Sequence, residues 1–285
     1  MSIGSQLVPM NIVELLKLRG LDTGKRIKLV RHQDRRYDLY ELWTTGHLET
    51  YQACQSKPIL DCDYMVSFIG LPNSKARLYG VYRILSRSRV ADTVLPRSYP
   101  ISENPEHWFY QLEKEQGFED LEERVVIAWG QSTRSWHQWL TEKEVVEVLP
   151  TGYARPFPGY LDFVLNFDEM SRIFSHPEAN REWQSALSNV AGVYLIMQPS
   201  TGAQYIGSAS GADGIYGRWL NYSITGHGGN QMLKAICEGS NSPYREFRFS
   251  ILRTLPKSLT KKEIIEYENF YKRKLGSRAH GLNAN

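Results

Sequence analysis

The chain has 285 residues, with 41% hydrophobic and 12% aromatic residues, a composition that excludes wholesale disorder and allows one large or two ordinary domains. It has no apolar run near the ~20 residues of a membrane span, no signal-peptide pattern at its start, and three cysteines outside any C-x-x-C pair, so we expect a cytoplasmic protein with no membrane partner and no structural zinc. The net charge is only +3, but the residues from 186 onward hold 12 Lys or Arg against 6 Asp or Glu, a net +6, whereas residues 1–185 have a net −3.

The N-terminal half is predicted to be a mixed, β-rich region. Apolar residues over 8–18 predict a short helix that ends at Gly20. The pattern over 107–117 predicts another helix, and the prolines over 86–106 predict a loop. Alternating or continuous apolar runs predict strands over residues 64–69, 76–84, 124–129 and 145–149.

Two parts of this half combine aromatic and basic side chains. Arginine and lysine alternate with tyrosine and tryptophan over residues 25–60, which suits nucleic-acid binding as well as strands with solvated outer faces. The polar loop over 130–139 brings together four candidate DNA-binding residues, Arg134, Trp136, His137 and Trp139. This region distantly resembles PUA- or EVE-like barrels, which bind nucleic acid and in some cases hold a flipped modified base. The alternative is that Trp136 and Trp139 close one end of a barrel.

A domain border is predicted near residue 165, because prolines and glycines are frequent over residues 150–162. Residues 1–165 would then form a DNA-recognition domain and residues 166–285 a second domain. Helices are predicted over 167–188, with Asp168 or Ser171 capping the first and Pro177 starting the second. The whole chain is expected to be α+β.

A β-hairpin is predicted over residues 192–207. Apolar residues alternate on both sides of a Gln-Pro-Ser-Thr-Gly break, which has the composition of a turn. The hairpin places Tyr194 and Tyr205 on neighbouring strands. Because tyrosine is a good strand residue, simple packing of both rings is the alternative to a functional role.

Three helices and one strand are predicted after the hairpin. They cover residues 214–222, 230–238, 247–251 (the strand) and 261–275. In the first helix Arg218 and Tyr222 share a face, and in the last Thr260 and Glu263 form a capping-box pattern. Glu268 falls within the apolar stripe of the last helix, so it needs a partner, which could be a divalent cation or a base.

These elements resemble those of GIY-YIG nucleases over about residues 186–285. Gly192-Val193-Tyr194 stands for the first tripeptide and Tyr205-Ile206-Gly207 for the second, while Arg218, Glu268 and Asn283 match the family's arginine, glutamate and asparagine. The resemblance implies a small antiparallel sheet with flanking helices. It also implies that Glu268 holds Mg²⁺ or Mn²⁺ and that Arg218 contacts the scissile phosphate.

The resemblance further implies roles for the remaining residues. Tyr194 would orient the attacking water or act as base, which requires a lowered pKa, and Tyr205 would bond the phosphate or the water. Asn283 would orient the site. Many relatives carry histidine where Tyr222 stands, so the proton acceptor stays open between Tyr222, Tyr194 and the nearby His227.

The sequence therefore predicts a metal-dependent endonuclease that acts on double-stranded DNA. A restriction-type or modification-dependent enzyme of phage defence is favoured because the additional N-terminal domain is large. A structure-specific repair or recombination nuclease is the first alternative, and a non-catalytic nucleic-acid-binding protein is the second. One site per chain cuts one strand, so a double-strand break would need a homodimer or two encounters.

Overall fold

The structure, a computed structural model, describes residues 9–94, 104–130, 135–237, 243–277 and 281–283. It divides into two compact units, Met1–Pro150 (unit 1) and Thr151–Asn285 (unit 2). Both combine helices with an antiparallel or mixed sheet, which confirms the α+β prediction. Among the described residues, no helix has the length and apolar character needed to cross a bilayer.

Unit 1 is built on one large, mixed sheet. The elements are α1 (Ile12–Leu18), β1 (Ile27–His32), α2 (Leu39–Thr44), α3 (Leu48–Ala53), β2 (Cys54–Gln55), β3 (Tyr64–Leu71), β4 (Lys75–Arg89), β5 (Trp108–Lys114), β6 (Val125–Ala128), β7 (His137–Trp139) and β8 (Val145–Val148). The strands lie in the order β2-β5-β4-β3-β1-β7, and β6 pairs with both β4 and β8. The β1 and β3 strands run parallel, whereas the other pairings are antiparallel.

Both faces of this sheet are covered by apolar side chains. Along β3, Val66 and Phe68 join one buried cluster, whereas Met65 and Ile69 join another. A strand that is buried on both faces carries a continuous apolar run instead of a simple alternation. This explains the sequence of residues 64–69, where the strand prediction is confirmed.

Several predictions for unit 1 are wrong. Residues 107–117 contain the strand β5 instead of a helix, because this segment pairs with β4 from Tyr82–Lys114 to Arg89–Trp108. The same pairing extends β4 to Arg89, beyond the predicted start of the loop. Over residues 25–60 the strand interpretation holds for β1 and β2, whereas the short helices α2 and α3 between them were not predicted.

Unit 2 has an antiparallel sheet with helices around it. The elements are β9 (Leu165–Asn166), α4 (Phe167–Ser175), α5 (Arg181–Ser188), β10 (Ala191–Gln198), β11 (Ala203–Ala209), α6 (Gly214–Thr225), α7 (Gln231–Cys237), β12 (Arg248–Leu255) and α8 (Lys261–Leu275). The four strands lie in the order β11-β10-β12-β9, so β11 lies at one edge. The predicted hairpin is confirmed as β10 and β11.

The two faces of this sheet carry different clusters. Tyr194 and Tyr205 belong to the larger cluster, together with side chains of α4, α5 and α6. Val193 and Ile206, one residue along each strand, pack with Ile264 of α8 on the other face. The alternation of the two strands therefore determines which helix each side chain meets.

The helix starts are set by local hydrogen bonds. Asn166 and Glu169 form the capping box of α4, so the predicted caps Asp168 and Ser171 are wrong. The α5 helix begins at Arg181, after Pro177, because residues 176–180 form a turn. The capping box of Thr260 with Glu263 is confirmed, and Gly276 ends α8 in the left-handed conformation.

The segment before β9 is part of the core of unit 2. Ala154 donates its backbone N–H to Asn180 Oδ1 at 2.9 Å, and Trp183 Nε1 donates to the Arg155 carbonyl at 2.7 Å. Ala154 and Phe163 are buried in the larger cluster. These contacts place residues 151–165 in unit 2.

Candidate active site

The two motif tyrosines project from the same face of the hairpin. Tyr194 on β10 pairs with Gly207 on β11, and Tyr205 pairs with Ile196. Their ring centroids lie 6.5 Å apart. A Cβ atom at Gly207 would lie 2.6 Å from Cζ of Tyr194, so only glycine lets the ring lie against β11.

The α6 helix adds Arg218 and Tyr222 to this face. The Tyr194 and Tyr222 hydroxyl oxygens are 3.1 Å apart. Arg218 donates from Nε to the Tyr194 hydroxyl at 3.1 Å and from Nη2 to the Tyr222 hydroxyl at 3.3 Å. The two residues are four apart on the helix, which places both toward the sheet. The structure thus brings Tyr194, Tyr205, Arg218 and Tyr222 together.

The loop after α6 holds Arg218 and Tyr222 in place. Arg218 Nη1 donates to the Gly228 carbonyl at 2.9 Å. A Cβ atom at Gly228, whose φ is +56°, would lie 2.5 Å from Cε1 of Tyr222. His227 lies in this loop, and its Nδ1 accepts from the Gly229 N–H at 3.0 Å. The loop therefore positions the arginine through its backbone.

Burial keeps both phenols protonated. Tyr194 and Tyr222 are fully buried, and desolvation raises the pKa of each above its ordinary value, although Arg218 acts in the opposite direction. The lowered pKa that a tyrosine base requires is therefore not found at Tyr194. In this arrangement the hydroxyl groups act as neutral hydrogen-bond partners.

Glu268 lies on the opposite face of the sheet, with a different set of partners. The Ser208 hydroxyl donates to Oε2, and Lys272 Nζ lies 2.7 Å from Oε1. Lys272 is only 7% exposed, so the two charges form a mostly buried pair within α8. Ser208 directly follows Gly207, and the two clusters therefore lie on either side of one edge strand.

Asn283 fixes that edge strand through its side chain. Its Oδ1 accepts from the Ile206 N–H at 2.9 Å, and its Nδ2 donates to the Ile206 carbonyl at 2.7 Å. Leu282 adds a backbone bond to the Gln204 carbonyl. Asn283 thus supports the β11 backbone between Tyr205 and Gly207.

Glu268 on α8 offers a cation one carboxylate, which Lys272 already pairs with. Mg²⁺ binds through one or two carboxylates and keeps several of its waters. In the part of the chain that the structure describes, no group of three or more His, Cys, Asp or Glu side chains is placed to hold a metal. Glu268 fits a cation bound mainly by water, provided that the cation displaces Lys272 from Oε1.

The predicted DNA-binding residues belong to unit 1. Arg134 lies outside the described residues. Trp136 lines a cavity, whereas His137 and Trp139 lie on β7, paired with β1. Trp139 is 54% exposed, and Lys28 Nζ lies 4.7 Å from the centroid of its ring.

Sequence reasoning missed Ser208, Lys272 and Gly228. Lys272 could have been found, because it stands four residues after Glu268 on the same helix face. Ser208 required the strand register, since alternation alone does not show that it meets α8. Gly228 gave no signal beyond a glycine-rich loop.

Comparisons with known proteins give a limited result. No family model matches the chain, and no curated protein matches it. Among solved structures, a mutant of the catalytic domain of the intron endonuclease I-TevI is 27% identical, with a TM-score of 0.28, over 34% of this chain and 94% of that one. The catalytic domain of the homing endonuclease I-TevI is also 27% identical, with a TM-score of 0.26, over 33% of this chain and 98% of that one. The PUA- or EVE-like interpretation of the N-terminal region receives no support from these matches.

Proposed function

We propose that unit 2 is a nuclease that hydrolyses phosphodiester bonds of double-stranded DNA. The observation that supports this proposal is the set of hydrogen-bond partners of Arg218. Its half-buried guanidinium is held by one carbonyl and two phenol oxygens, with no carboxylate at salt-bridge distance in the described chain. A positioned arginine without an anionic partner is suited to bind a phosphate.

The proposed chemistry is an in-line displacement at phosphorus. A water oxygen forms a bond to phosphorus, the bond to the leaving sugar oxygen breaks, and overall one proton passes from the water to that oxygen. Arg218 would donate to the phosphoryl oxygens, where negative charge grows. The hydroxyls of Tyr194 and Tyr205 would orient the phosphate or the water, and Tyr222 would hold Tyr194 and Arg218.

Glu268 is the proposed ligand of a divalent cation, Mg²⁺ or Mn²⁺. When bound, such an ion neutralises phosphoryl charge and lowers the pKa of a coordinated water. Ser208 would hold one carboxylate oxygen of Glu268, and Lys272 would release the other. Asn283 would keep the β11 backbone between the two clusters in register.

A plasmid nicking assay tests this function. Supercoiled DNA is incubated with the full chain in Mg²⁺, Mn²⁺ or EDTA, and the conversion to the open-circular form is measured. We expect cleavage with metal and at least a hundredfold loss for Arg218→Ala, since removing one charge-stabilising group typically has that effect. Arg245→Ala is the matched control, because Arg245 is an exposed arginine of unit 2 paired with Asp168. Equal rates for the two variants, or undiminished cleavage in EDTA, would refute the proposal.

We further infer that unit 1 selects the DNA, in a restriction-type or modification-dependent enzyme that protects a cell against phage in its cytoplasm. Two observations support this inference. Unit 1 has a core of its own, and the basic excess lies in the final third of the chain. Digestion of unmodified, methylated, hydroxymethylated and glucosylated DNA tests it, and equal digestion of all four would contradict dependence on modification.

A further inference from the structure

Unit 1 contains a polar cavity of about 850 Å³ that the nuclease chemistry does not use. The end of β1 and the loop after it provide one wall, and the turn between β3 and β4 provides another. Trp136, Tyr37 and Tyr51 supply aromatic surface. A cavity of this size falls in the range that binds small organic ligands.

A buried, unbalanced positive charge lies at this cavity. Arg31 is only 3% exposed, and it donates to the carbonyls of Leu71 at 3.1 Å and Lys75 at 3.3 Å. These bonds use two of its five N–H groups. No carboxylate pairs with it in the described chain, and burial lowers its pKa. A buried cation with spare donors favours an anionic ligand.

The other charged side chains at the cavity do not neutralise the positive charge of Arg31. Asp34 is paired with Arg36 through bonds of 3.1 and 2.7 Å, and the Tyr51 hydroxyl also donates to it at 3.1 Å. Arg35, next to this pair, is exposed and makes no ion pair in the described chain. Among the lining residues that the structure describes, Arg31 and Arg35 are therefore two cations that Asp34 does not neutralise.

Neutral polar and aromatic groups lie beside these cations. His32 is 2% exposed, its ring meets Tyr51 edge to face at 5.6 Å, and its Nε2 makes no hydrogen bond of normal geometry. Burial lowers the pKa of His32 to about 4, so the ring is neutral near pH 7. A neutral imidazole can donate or accept a hydrogen bond, so it can bond a polar group of a ligand. The Trp136 carbonyl accepts from the Arg31 N–H at 2.7 Å, which ties this aromatic residue to β1 through backbone atoms.

The turn at the cavity wall is the tight turn of the β3–β4 hairpin. Asn73 and Ser74 both have positive φ, 57° and 55°, as the two central residues of such a turn require. The Ser74 carbonyl accepts from the Trp129 N–H at 2.8 Å, which holds this wall of the cavity in place.

An anionic ligand with a flat aromatic part and polar edges satisfies all these features, and a nucleotide is such a ligand. We propose that this cavity holds one unpaired nucleotide of a DNA strand, with its base against Trp136 and its phosphate near Arg31 and Arg35. The inference rests on the proposed action on DNA and assigns to unit 1 a binding site of its own.

Binding is measured with the full chain in EDTA, so that cleavage does not interfere. The probes are three labelled 20-mer DNA duplexes: one fully paired, one with a single unpaired 2-aminopurine nucleotide, and one with an abasic residue at that position. We expect the chain to bind the duplex with the unpaired nucleotide at least tenfold more tightly than the fully paired and the abasic duplexes. The 2-aminopurine fluorescence should fall on binding, because the base stacks on Trp136. Equal affinity for the base-containing and abasic duplexes would overturn the proposal.

Variants locate the base within the cavity. Trp136→Ala should weaken binding of the unpaired nucleotide ten- to a hundredfold and restore the fluorescence, since stacking on an aromatic residue has about this effect. Trp136→Phe should keep most of the affinity. Trp108→Ala is the control, because Trp108 is a partly buried residue of unit 1 that packs against Arg89 and does not line the cavity. Equal losses for the two alanine variants would refute the assignment.

Further measurements distinguish a nucleotide within DNA from a free nucleotide or one within RNA. Arg35→Ala should weaken binding of every DNA probe and reduce the slope of log affinity against log salt by about one, as expected when one phosphate contact is lost. Free deoxynucleoside monophosphates and the equivalent RNA bulge serve as competitors. Tighter binding of either one would overturn the assignment to DNA. Nicking by unit 2 is scored separately through Arg218→Ala, so a failure of the nuclease proposal remains distinguishable.

Discussion

The Tyr222 hydroxyl makes hydrogen bonds with both Tyr194 and Arg218. If this position aligns the site, Tyr222→Phe should lower the nicking rate about ten- to a hundredfold, because it removes a buried partner of two groups, each hydrogen bond contributing about 1 kcal/mol. The measurement is the single-turnover nicking rate. His227→Ala should change it less than threefold, because His227 Nδ1 accepts its bond from the Gly229 N–H of its own loop. A larger loss for His227→Ala would identify the histidine as the proton acceptor instead.

A test of Glu268 must separate the loss of a metal ligand from the loss of stability of the fold. Glu268→Ala should abolish nicking, but it also leaves Lys272 buried without its partner, and breaking such a pair destabilises by about 3–5 kcal/mol. The double variant Glu268→Gln/Lys272→Met removes both charges and should unfold near the wild-type temperature while remaining inactive. Binding of Mn²⁺, followed by calorimetry, should be lost in both variants.

Glu266→Ala is the matched control for Glu268, since Glu266 is an exposed carboxylate on the same helix. It should keep both nicking and Mn²⁺ affinity. Metal-dependent nicking that persists in Glu268→Ala would show that the cation is held elsewhere.

His32 predicts an acid-sensitive unit 1. Its folded pKa of about 4 lies below the ordinary value of 6.5, because burial disfavours the charged ring. Between these two pH values the unfolded chain binds a proton that the folded chain does not. The contribution of His32 to the free energy of unfolding is therefore complete above pH 6.5 and is lost as the pH falls toward 4. Thermal unfolding from pH 7 to pH 4.5 should show this loss, and His32→Gln should reduce it. An identical pH dependence in the variant would show that His32 does not contribute.

At the scale of elements, β11 depends on a side chain that follows α8. Asn283 pairs with both backbone groups of Ile206, so Asn283→Asp replaces the donor to the Ile206 carbonyl by an oxygen. The expected loss of stability is about 1–3 kcal/mol, with faster amide exchange along β11. Hydrogen exchange by mass spectrometry measures it. Unchanged protection of β11 in the variant would show that Asn283 does not hold the strand.

The elements show what local sequence determines. The α8 helix was predicted because its start and end depend on Thr260, Glu263 and Gly276, all within one turn of the helix ends. The β5 strand was missed because its evidence lies in β4, about 25 residues earlier in the chain, and β-strand formation depends on such pairing.

In the candidate site, too, local patterns were predicted and long-range contacts were not. The predicted hairpin placed Tyr194 and Tyr205 on neighbouring strands, and the family resemblance added Arg218 to the same site. Neither predicted that Glu268 faces the other side of β11. That arrangement depends on Ser208 meeting α8, and only the three-dimensional register shows it.

At the scale of the molecule, unit 2 should act without unit 1. The fragment to express is 151–285, because residues 151–165 supply buried side chains to the core of unit 2. We expect it to nick DNA weakly, without preference among differently modified substrates, and with strong salt dependence. The shorter fragment 166–285 lacks Ala154 and Phe163 and should unfold at a lower temperature.

The comparison of the full chain with fragment 151–285 on modified and unmodified DNA decides the role of unit 1. A substrate preference that is present in the full chain and absent from the fragment would support recognition by unit 1. Equal preference in both would leave unit 1 as a scaffold or a dimerisation surface.

Gly207 and Gly228 carry no side chain, yet the rings of Tyr194 and Tyr222 occupy the space where a Cβ atom would lie. In a saturation mutagenesis of unit 2, these two positions should therefore tolerate substitution as poorly as Arg218 does. Any loss-of-function allele at either glycine would act by steric exclusion. A genetic screen that scores only chemically reactive residues would overlook both.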